Sequence, residues 1–246
     1  MSLPHGPYLE GVVERLREPL GSELHAVVLG GSAALGAYEP GRSDLDVIAV
    51  CASPLPRTRG LGLARSLSHR ALPCPARRLE LVVMTRAAAA GDPRASAFEL
   101  DLNTGADESD HVGLDPAAEP GHWFVIDRSI ARARGRALFG PAPRDVLAPV
   151  PRGEVLAALG DSLDWHAVHE SASPNSVLNA CRAWRWARTG RWTSKRAAAE
   201  WARERMSDPA AIDAAMAARA TGEALDPGTV AGFVDAVRAV LAAARP

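Results

Sequence analysis

The spacing of apolar residues changes along the chain, and this change predicts two structural regions. In the first region, apolar positions at helical spacing from Tyr8 to Leu20 predict an amphipathic opening helix. Short apolar runs then predict buried strands over residues 24–29, 45–51 and 79–84. Residues 57–72 have a helical pattern that two glycines weaken. This mixture of helices and strands predicts an α/β region.

The second region reads as helical throughout. A polar stretch over residues 101–122, rich in Asp, Gly and Pro, predicts a long loop, and several prolines between residues 141 and 151 mark a junction. Cap signals follow at Ser173-Pro174, Gly190, Ser194, Asp208-Pro209 and Asp226-Pro227. We therefore expect an α/β (α+β) domain with a mixed sheet over residues 1–148. An all-α helical bundle is expected over residues 149–246.

Composition narrows the partners only slightly. The chain has 246 residues and a formal net charge of -1, so no global basic field favours nucleic acid or an anionic membrane, although a local basic patch would survive this average. Its cysteines, at 51, 74 and 181, are scattered and predict neither a disulfide nor a zinc site. No signal-peptide pattern or run of about 20 apolar residues is present. We expect a cytoplasmic monomer with small-molecule partners.

A glycine-serine turn follows the first predicted strand. Gly31 and Ser32 stand where a strand runs into a short predicted helix. Backbone N–H groups at such a turn point towards an anion, and a glycine allows the backbone to approach it closely. The Ser32 hydroxyl can also donate to a phosphate oxygen. This turn predicts a phosphate site.

Carboxylates begin or interrupt the next two strands. Asp44 and Asp46 are two residues apart, so both side chains point to one face, where they repel each other unless a cation lies between them. Mg²⁺ suits this position because it binds carboxylate and phosphate oxygens together. Glu80 is a charge inside an apolar run, which is costly unless it has a partner or a function. Each feature alone has an ordinary explanation, but their conjunction predicts a metal and nucleotide site.

The order of these residues resembles the nucleotidyltransferase superfamily that includes DNA polymerase β. Its pattern is Gly-Ser, then D-x-D, then a third acidic residue, matched here by Ser32, by Asp44 with Asp46, and by Glu80. The resemblance implies that the two aspartates hold two magnesium ions on the triphosphate of ATP. It implies that Glu80 completes the site or acts as the base, and that Ser32 and Ser43 contact phosphates.

A second motif lies in the helical region. By spacing alone, Arg182 and Lys195 would more often be a solvated basic surface, although two cations on adjacent helix ends can converge on one triphosphate. The surrounding pattern is similar to the helical domain of streptomycin/spectinomycin adenylyltransferases: Arg182-x-Trp184, Thr189-Gly190, Lys195 and Ala198-x-x-Trp201. The resemblance implies that Arg182 and Lys195 bind the ATP phosphates. It also implies AMP transfer from ATP to an aminoglycoside hydroxyl, which confers antibiotic resistance.

The acceptor site departs from that family. The family's drug-contacting acidic residues lie just before the helix of Arg182, where residues 169–175 contain one carboxylate, and its substrate-contacting tryptophan is replaced near residues 98–101. A polycationic aminoglycoside needs carboxylates that are not committed to magnesium. The candidates are Asp101, Asp161, Asp164 and Glu170, with Trp165 to pack on a sugar face. Asp161 and Asp164 share a helix face, which could equally be a solvated one.

Two other functions stay open from the sequence. The first is adenylylation of another acceptor, such as a metabolite, a protein or a tRNA; the formal net charge of -1 disfavours tRNA. The second is a catalytically silent nucleotide-binding or antitoxin-like module. The presence of all three carboxylates argues against a silent site.

Overall fold

The chain divides after Val150 into two units of different architecture, Met1–Val150 and Pro151–Pro246. The computed structural model describes residues 4–92, 97–107 and 109–244. The strands are β1 (Leu24–Leu29), β2 (Leu45–Cys51), β3 (Arg78–Thr85), β4 (Leu100–Gly105), β5 (His111–Gly113) and β6 (Arg136–Phe139). The helices are α1 (Gly6–Leu20), α2 (Gly31–Ala34), α3 (Arg57–Leu67), α4 (Arg86–Ala90), α5 (His122–Arg134), α6 (Pro143–Val146), α7 (Arg152–His169), α8 (Pro174–Thr189), α9 (Lys195–Arg203), α10 (Ala210–Thr221) and α11 (Pro227–Ala243).

The first unit is built on one six-stranded sheet, which is mixed, as the sequence predicted. Its strand order is β5-β4-β3-β2-β1-β6. β2 and β3 are parallel, whereas the other neighbours are antiparallel. The two predicted acidic strands are therefore direct neighbours that begin at the same edge of the sheet.

Alternation along β2 and β3 gives the two faces of the sheet different characters. On one face, residues such as Leu45 and Leu79 are fully buried in a cluster with α1 and α3. On the other face, Ile48 and Met84 pack with side chains from α4, α5 and α6. On this face Asp46 comes two residues before Ile48 in β2. Glu80 comes before Val82 and Met84 in β3. The face covered by α4, α5 and α6 is thus apolar along most of each strand and acidic where the strands begin.

The predicted long loop over residues 101–122 is wrong. Two strands, β4 and β5, extend the sheet within it, and α5 begins at its end. Leu100 and Leu102 are fully buried, while Asp101 and Asn103 alternate with them on the other face. Alternate residues of β4 are polar, so the segment is hydrophilic on average although it has the period of two that identifies a strand.

Two helix boundaries also differ from the prediction. The helix expected over residues 57–72 ends at Leu67, because Ser68 adopts an extended conformation with ψ 151°. α10 begins at Ala210 with Pro209 at its N-cap, and Asp208 instead accepts a hydrogen bond from the Ala210 N–H at 3.0 Å. Both differences are local, and neither changes the number of predicted segments in that part of the chain.

The second unit is organised around α8, which contacts α7, α9, α10 and α11. Apart from the start of α10, its predicted caps are confirmed: the Ser173 hydroxyl accepts a hydrogen bond from the Asn175 N–H, and Gly190 ends α8 with φ 66°. At the start of α11, Asp226 accepts from the Thr229 N–H at 2.8 Å. These side-chain caps satisfy backbone groups that a helix end leaves without partners.

The cysteines are structural residues. Cys51, Cys74 and Cys181 are free and buried. Burial raises the pKa of Cys51 to about 11 and that of Cys181 to about 12, so these thiols are poor nucleophiles at neutral pH. Among the helices of the described residues, none is long and apolar enough to span a bilayer.

The assignment of β4 to the core is testable with a matched pair of variants. Leu102→Ala should lower the free energy of unfolding by about 2–5 kcal/mol, because it removes a fully buried side chain. Its register partner Val112 on β5 is 38% exposed, so Val112→Ala should cost less than about 1 kcal/mol. Urea unfolding followed by circular dichroism measures both. Equal losses would contradict the placement of β4.

Candidate active site

Carboxylates gather on one face of the sheet where β2 and β3 begin. In the parallel register Asp46 lies directly opposite Glu80, and Asn103 of β4 lies on the other side of Glu80. Asp44 stands one residue before β2, and its carboxylate reaches the same arginine, Arg78, that binds Glu80. The structure therefore brings together the three carboxylates that the sequence singled out.

Two arginines just before and at the start of β3 supply positive charge to this group. Arg77 Nε and Nη2 donate to the two carboxylate oxygens of Asp44, at 2.8 and 2.6 Å. Arg78 Nε donates to Glu80 Oε1 at 2.7 Å and lies 3.6 Å from Asp44 Oδ1. Neither arginine was predicted from the sequence as part of the site. Their adjacency to an acidic strand was the available signal, but it becomes informative only once β2 and β3 are known to be parallel neighbours.

The arginines do not fully offset the negative charge. Burial, followed by the charges of Asp46 and Asp44, raises the pKa of Glu80 to about 8, although Arg78 opposes this shift. The Glu80 side chain is 29% exposed, so it stays open to a ligand. A cation among these oxygens would stabilise their charged forms. Since all the donors are carboxylate oxygens, the residues fit Mg²⁺.

Gly31 brings the backbone against one of these carboxylates. Its φ is +52°, a conformation that side chains disfavour, and a Cβ at this position would lie 1.8 Å from Asp46 Oδ2. The preceding N–H, from Gly30, donates to the Asp46 carbonyl at 2.8 Å. The predicted phosphate turn is therefore anchored to β2 and lies directly beside Asp46.

The two predicted phosphate-binding serines occupy different surroundings. Ser32 is half-buried in the short helix α2, next to Gly31. Ser43 is 6% exposed, and its hydroxyl accepts a hydrogen bond from the Glu39 N–H at 2.9 Å. Its own N–H donates to the Glu39 carbonyl at 2.9 Å. Ser43 thus closes the loop that leads into β2, and its contact with a phosphate stays a prediction.

Asp101, a candidate for the acceptor, lies in a second acidic group on the same sheet face. His111 Nε2 is 2.8 Å from Glu119 Oε1 and 3.7 Å from Asp101 Oδ2. Gly113 leaves room for this convergence, since a Cβ there would lie 2.9 Å from Glu119 Oε1. Burial, then the charge of Glu119, raises the pKa of Asp101 to about 6, although His111 lowers it. Asp101 is thus associated with a histidine and a second carboxylate, and all three ligand atoms lie within 4.8 Å of one another.

Arg182 and Lys195 belong to hydrogen-bonded groups inside the helical unit. Lys195 is the first residue of α9, and its Nζ donates to Asn175 Oδ1 at 2.5 Å. Asn175 Nδ2 donates in turn to Glu170 Oε2 at 3.1 Å. Arg182 Nη2 donates to Asn179 Oδ1, also at 3.1 Å. Both predicted phosphate-binding cations are therefore held by asparagine side chains.

His166 joins these two groups. Its Nδ1 lies 2.8 Å from Glu170 Oε2, and its Nε2 lies 2.8 Å from Asn179 Nδ2. The residue is 2% exposed. The sequence suggested His166 only as a ring that could pack on a sugar, like Trp165, and neither asparagine was predicted as part of the site. A polar Asn179 among the apolar positions of α8 was the one signal that could have found them.

The other acceptor candidates lie along α7 and just beyond it. The sequence predicted Glu170 within the same helix as Asp161 and Asp164, but the helix ends at His169 and Glu170 is its C-cap. Trp165 is half-buried, stacks on His169 at 4.5 Å between centroids, and meets His166 edge-on. Asp161 is exposed, and Asp164 is paired with Arg238 of α11 at 2.6 Å. The structure thus places Trp165 and Glu170 beside His166, whereas the two aspartates lie on an exposed part of the helix.

Sequence comparison finds relatives that match most of this chain. The family described as "Aminoglycoside adenylyltransferase, C-terminal domain" matches residues 145–243. An aminoglycoside (3'') (9) adenylyltransferase from Klebsiella pneumoniae is 30% identical, over 80% of this chain and 76% of the relative. A spectinomycin 9-adenylyltransferase from Staphylococcus aureus (strain N315) is 28% identical, over 76% of this chain and 74% of the relative.

The fold also has a solved counterpart. The crystal structure of spectinomycin adenyltransferase AAD(9) from Enterococcus faecialis, with ATP and spectinomycin, superimposes with a TM-score of 0.70. The match covers 96% of this chain and 98% of that chain, at 17% identity. This match shows that the two chains share a fold, and the sequence relatives show that this chain is a nucleotidyltransferase that belongs to the aminoglycoside adenylyltransferase family.

Proposed function

We propose that this protein transfers AMP from ATP to a hydroxyl group of an aminoglycoside-type antibiotic, in a reaction that requires Mg²⁺, and that it thereby confers resistance. The observation that carries the proposal is the register of β2 and β3, which sets Asp46 opposite Glu80 with Asp44 on the same face. The names of the relatives favour spectinomycin or another aminoglycoside as the acceptor, and the motifs that resemble streptomycin/spectinomycin adenylyltransferases add streptomycin.

In the reaction, the acceptor hydroxyl oxygen attacks the α-phosphorus of ATP while the bond to pyrophosphate breaks. Glu80 takes the hydroxyl proton as general base and then releases it to solvent. Asp44 and Asp46 are the residues that would hold the two metal ions. Bound Mg²⁺ would polarise the attacking oxygen and offset charge on the leaving pyrophosphate. This role suits Glu80 because it lies across the register from Asp46.

The remaining predicted residues would bind the two substrates. Gly31, Ser32 and Ser43 stand at or near the turn beside Asp46, where backbone N–H groups can meet a phosphate. Arg182 and Lys195 would contribute positive charge to the triphosphate. An aminoglycoside is a polycation, so the carboxylate of Glu170, with Trp165 nearby, is the best-supported group for its ammonium groups. Asp101 is a second candidate, and Asp161 and Asp164 are weaker ones because of their exposure.

Pyrophosphate release with ATP and Mg²⁺ tests the proposal, with streptomycin and spectinomycin offered separately. We expect release with at least one drug and an adenylylated product in the mass spectrum. ATP binding without transfer to either drug would redirect the search to a metabolite, a protein or a tRNA as the acceptor. Failure to bind ATP with Mg²⁺ would contradict the nucleotide site itself.

Asp46→Asn should abolish this activity without unfolding the protein. Removal of one of three neighbouring carboxylates should lower turnover by about 100-fold or more, because metal binding is lost. Without metal the melting temperature should stay equal or rise, since like-charge repulsion is relieved. Asp145→Asn on the exposed start of α6 is the control and should retain activity. Retained turnover in Asp46→Asn would exclude the assigned metal site.

Gly31→Ala should also inactivate the protein, and Gly36→Ala separates the two reasons for it. Both glycines have positive φ values, +52° and +70°, so both variants carry backbone strain. Only at position 31 does the new Cβ collide with Asp46, whereas nothing lies within 4 Å at position 36. Steady-state kinetics should show a loss of turnover of about 10-fold or more for Gly31→Ala alone. Similar losses in both variants would mean that the collision with Asp46 is unimportant.

Arg182→Ala should weaken ATP binding by about 1.5–3 kcal/mol, the usual contribution of a charged hydrogen bond. Arg188→Ala is the matched control, because Arg188 lies on the same helix and is exposed. Isothermal titration calorimetry with ATP and Mg²⁺ measures both variants. If Arg182→Ala binds ATP as tightly as the control does, Arg182 is not a phosphate ligand.

A further inference from the structure

The hydrogen bonds around His166 have directions that the end groups determine. Lysine and arginine side chains can only donate. Lys195 therefore faces the amide oxygen of Asn175, which leaves the amide nitrogen of Asn175 to donate to Glu170. Arg182 likewise faces the amide oxygen of Asn179. The orientation of each asparagine amide thus follows from the chemistry of the cation it binds.

The orientation of Asn179 then decides which nitrogen of His166 carries a proton. The Asn179 nitrogen lies 2.8 Å from His166 Nε2 and is a donor, so Nε2 must be the acceptor. The proton of the neutral ring is therefore on Nδ1, which donates to Glu170 Oε2 at 2.8 Å. The two branches of this hydrogen-bond network start at Lys195 and Arg182, and each donor in them points towards the Glu170 carboxylate.

Burial makes this hydrogen-bond network sensitive to the loss of any donor or acceptor. His166 is 2% exposed and Asn179 is 8% exposed, so water has little access to their polar atoms. A lost partner would leave a buried donor or acceptor unsatisfied, which strongly disfavours the arrangement. The members come from α7, its C-cap, α8 and the first residue of α9. The hydrogen bond from His166 is also the main reason why the pKa of Glu170 is below its usual range.

We propose that His166 is a positioning residue that aligns the acceptor-binding carboxylate of Glu170 with the ATP-binding guanidinium of Arg182. This inference rests on the proposed function, which gives those two residues their substrates. His166 touches neither substrate in this scheme. It holds Glu170 through Nδ1, and it orients Arg182 through Nε2 and Asn179. Binding of the two substrates is thereby coupled through one buried side chain.

Two substitutions of His166 test the roles of Nδ1 and Nε2 separately. The amide of His166→Gln can reach the position of Nε2 and accept from Asn179, but it leaves Glu170 without its histidine donor. The amide of His166→Asn can reach the position of Nδ1 and donate to Glu170, but it leaves Asn179 without an acceptor. His166→Gln should raise the KM for the drug about tenfold and leave ATP binding within about twofold. His166→Asn should weaken ATP binding about tenfold and leave the KM for the drug within about twofold.

A merely structural role would give a different result, because both variants would then disturb both substrates to the same extent. That outcome, or unchanged constants in both variants, would overturn the proposal. Nitrogen-15 NMR of histidine-labelled wild-type protein adds a test that needs no variant to fold. It should show the His166 proton on Nδ1 alone, and a proton on Nε2 would contradict the chain of donors.

The design also separates this inference from the proposed function. NMR and calorimetry with ATP test whether His166 orients Arg182 through Asn179, and they need no acceptor. If the wild-type protein adenylylates neither drug, the acceptor assignment fails while the orientation of Arg182 is still tested. If the wild-type protein is active but His166→Gln leaves the KM for the drug unchanged, the positioning of Glu170 by His166 is wrong.

Discussion

Two parallel strands that begin side by side hold like charges together, and the catalytic unit is built around this constraint. Asp46 and Glu80 face each other across the register, and the apolar residues that follow them on the same face are packed beneath helices. Because the strands are anchored by that packing, their backbones hold the carboxylates close together. Charge must therefore come to them, first from Arg77 and Arg78 and then from any cationic ligand. A site that needs positive charge at a defined place is well suited to bring a metal ion and a triphosphate together.

The turn after β1 depends on the same constraint. Gly31 is compatible with it because it has no side chain, and the Asp46 carboxylate occupies the space that a Cβ would need. A phosphate bound at this turn would consequently lie beside the acidic group rather than at a distance from it. The close approach explains why glycine is required here on steric grounds as well as for its positive φ.

The helical unit differs from the first unit in how its charged side chains are held. Here neutral amides hold Arg182 and Lys195, the cations that we propose bind the triphosphate. A neutral amide orients a cation and adds no negative charge of its own beside it. Glu170 receives the hydrogen bonds at the centre of the network, and its position beside a buried histidine keeps it ionised. The proposed metal-binding groups of the first unit are thus carboxylates, and the proposed phosphate-binding groups of the second unit are cations.

The sequence by itself determined the local features of this protein. The strands over residues 24–29 and 45–51 and the caps at Ser173 and Asp226 depend on nearby residues, so periodicity and cap chemistry were enough to predict them. The carboxylates were recognisable because a motif of fixed spacing carries them. β4 was missed because its outer face is polar, so its alternation is readable only when the inner face is known to be buried.

Only the tertiary structure decided which residues meet. Arg78 lies between Asp44 and Glu80 because β2 and β3 are parallel in one particular register, and no local pattern specifies that register. His166 and Asn179 are 13 positions apart on different helices, and their hydrogen bond exists because α7 packs against α8. Contacts of this kind depend on how distant segments bury their apolar faces against each other. A single sequence indicates which segments have such faces, and the packing determines the polar partners that come together beside them.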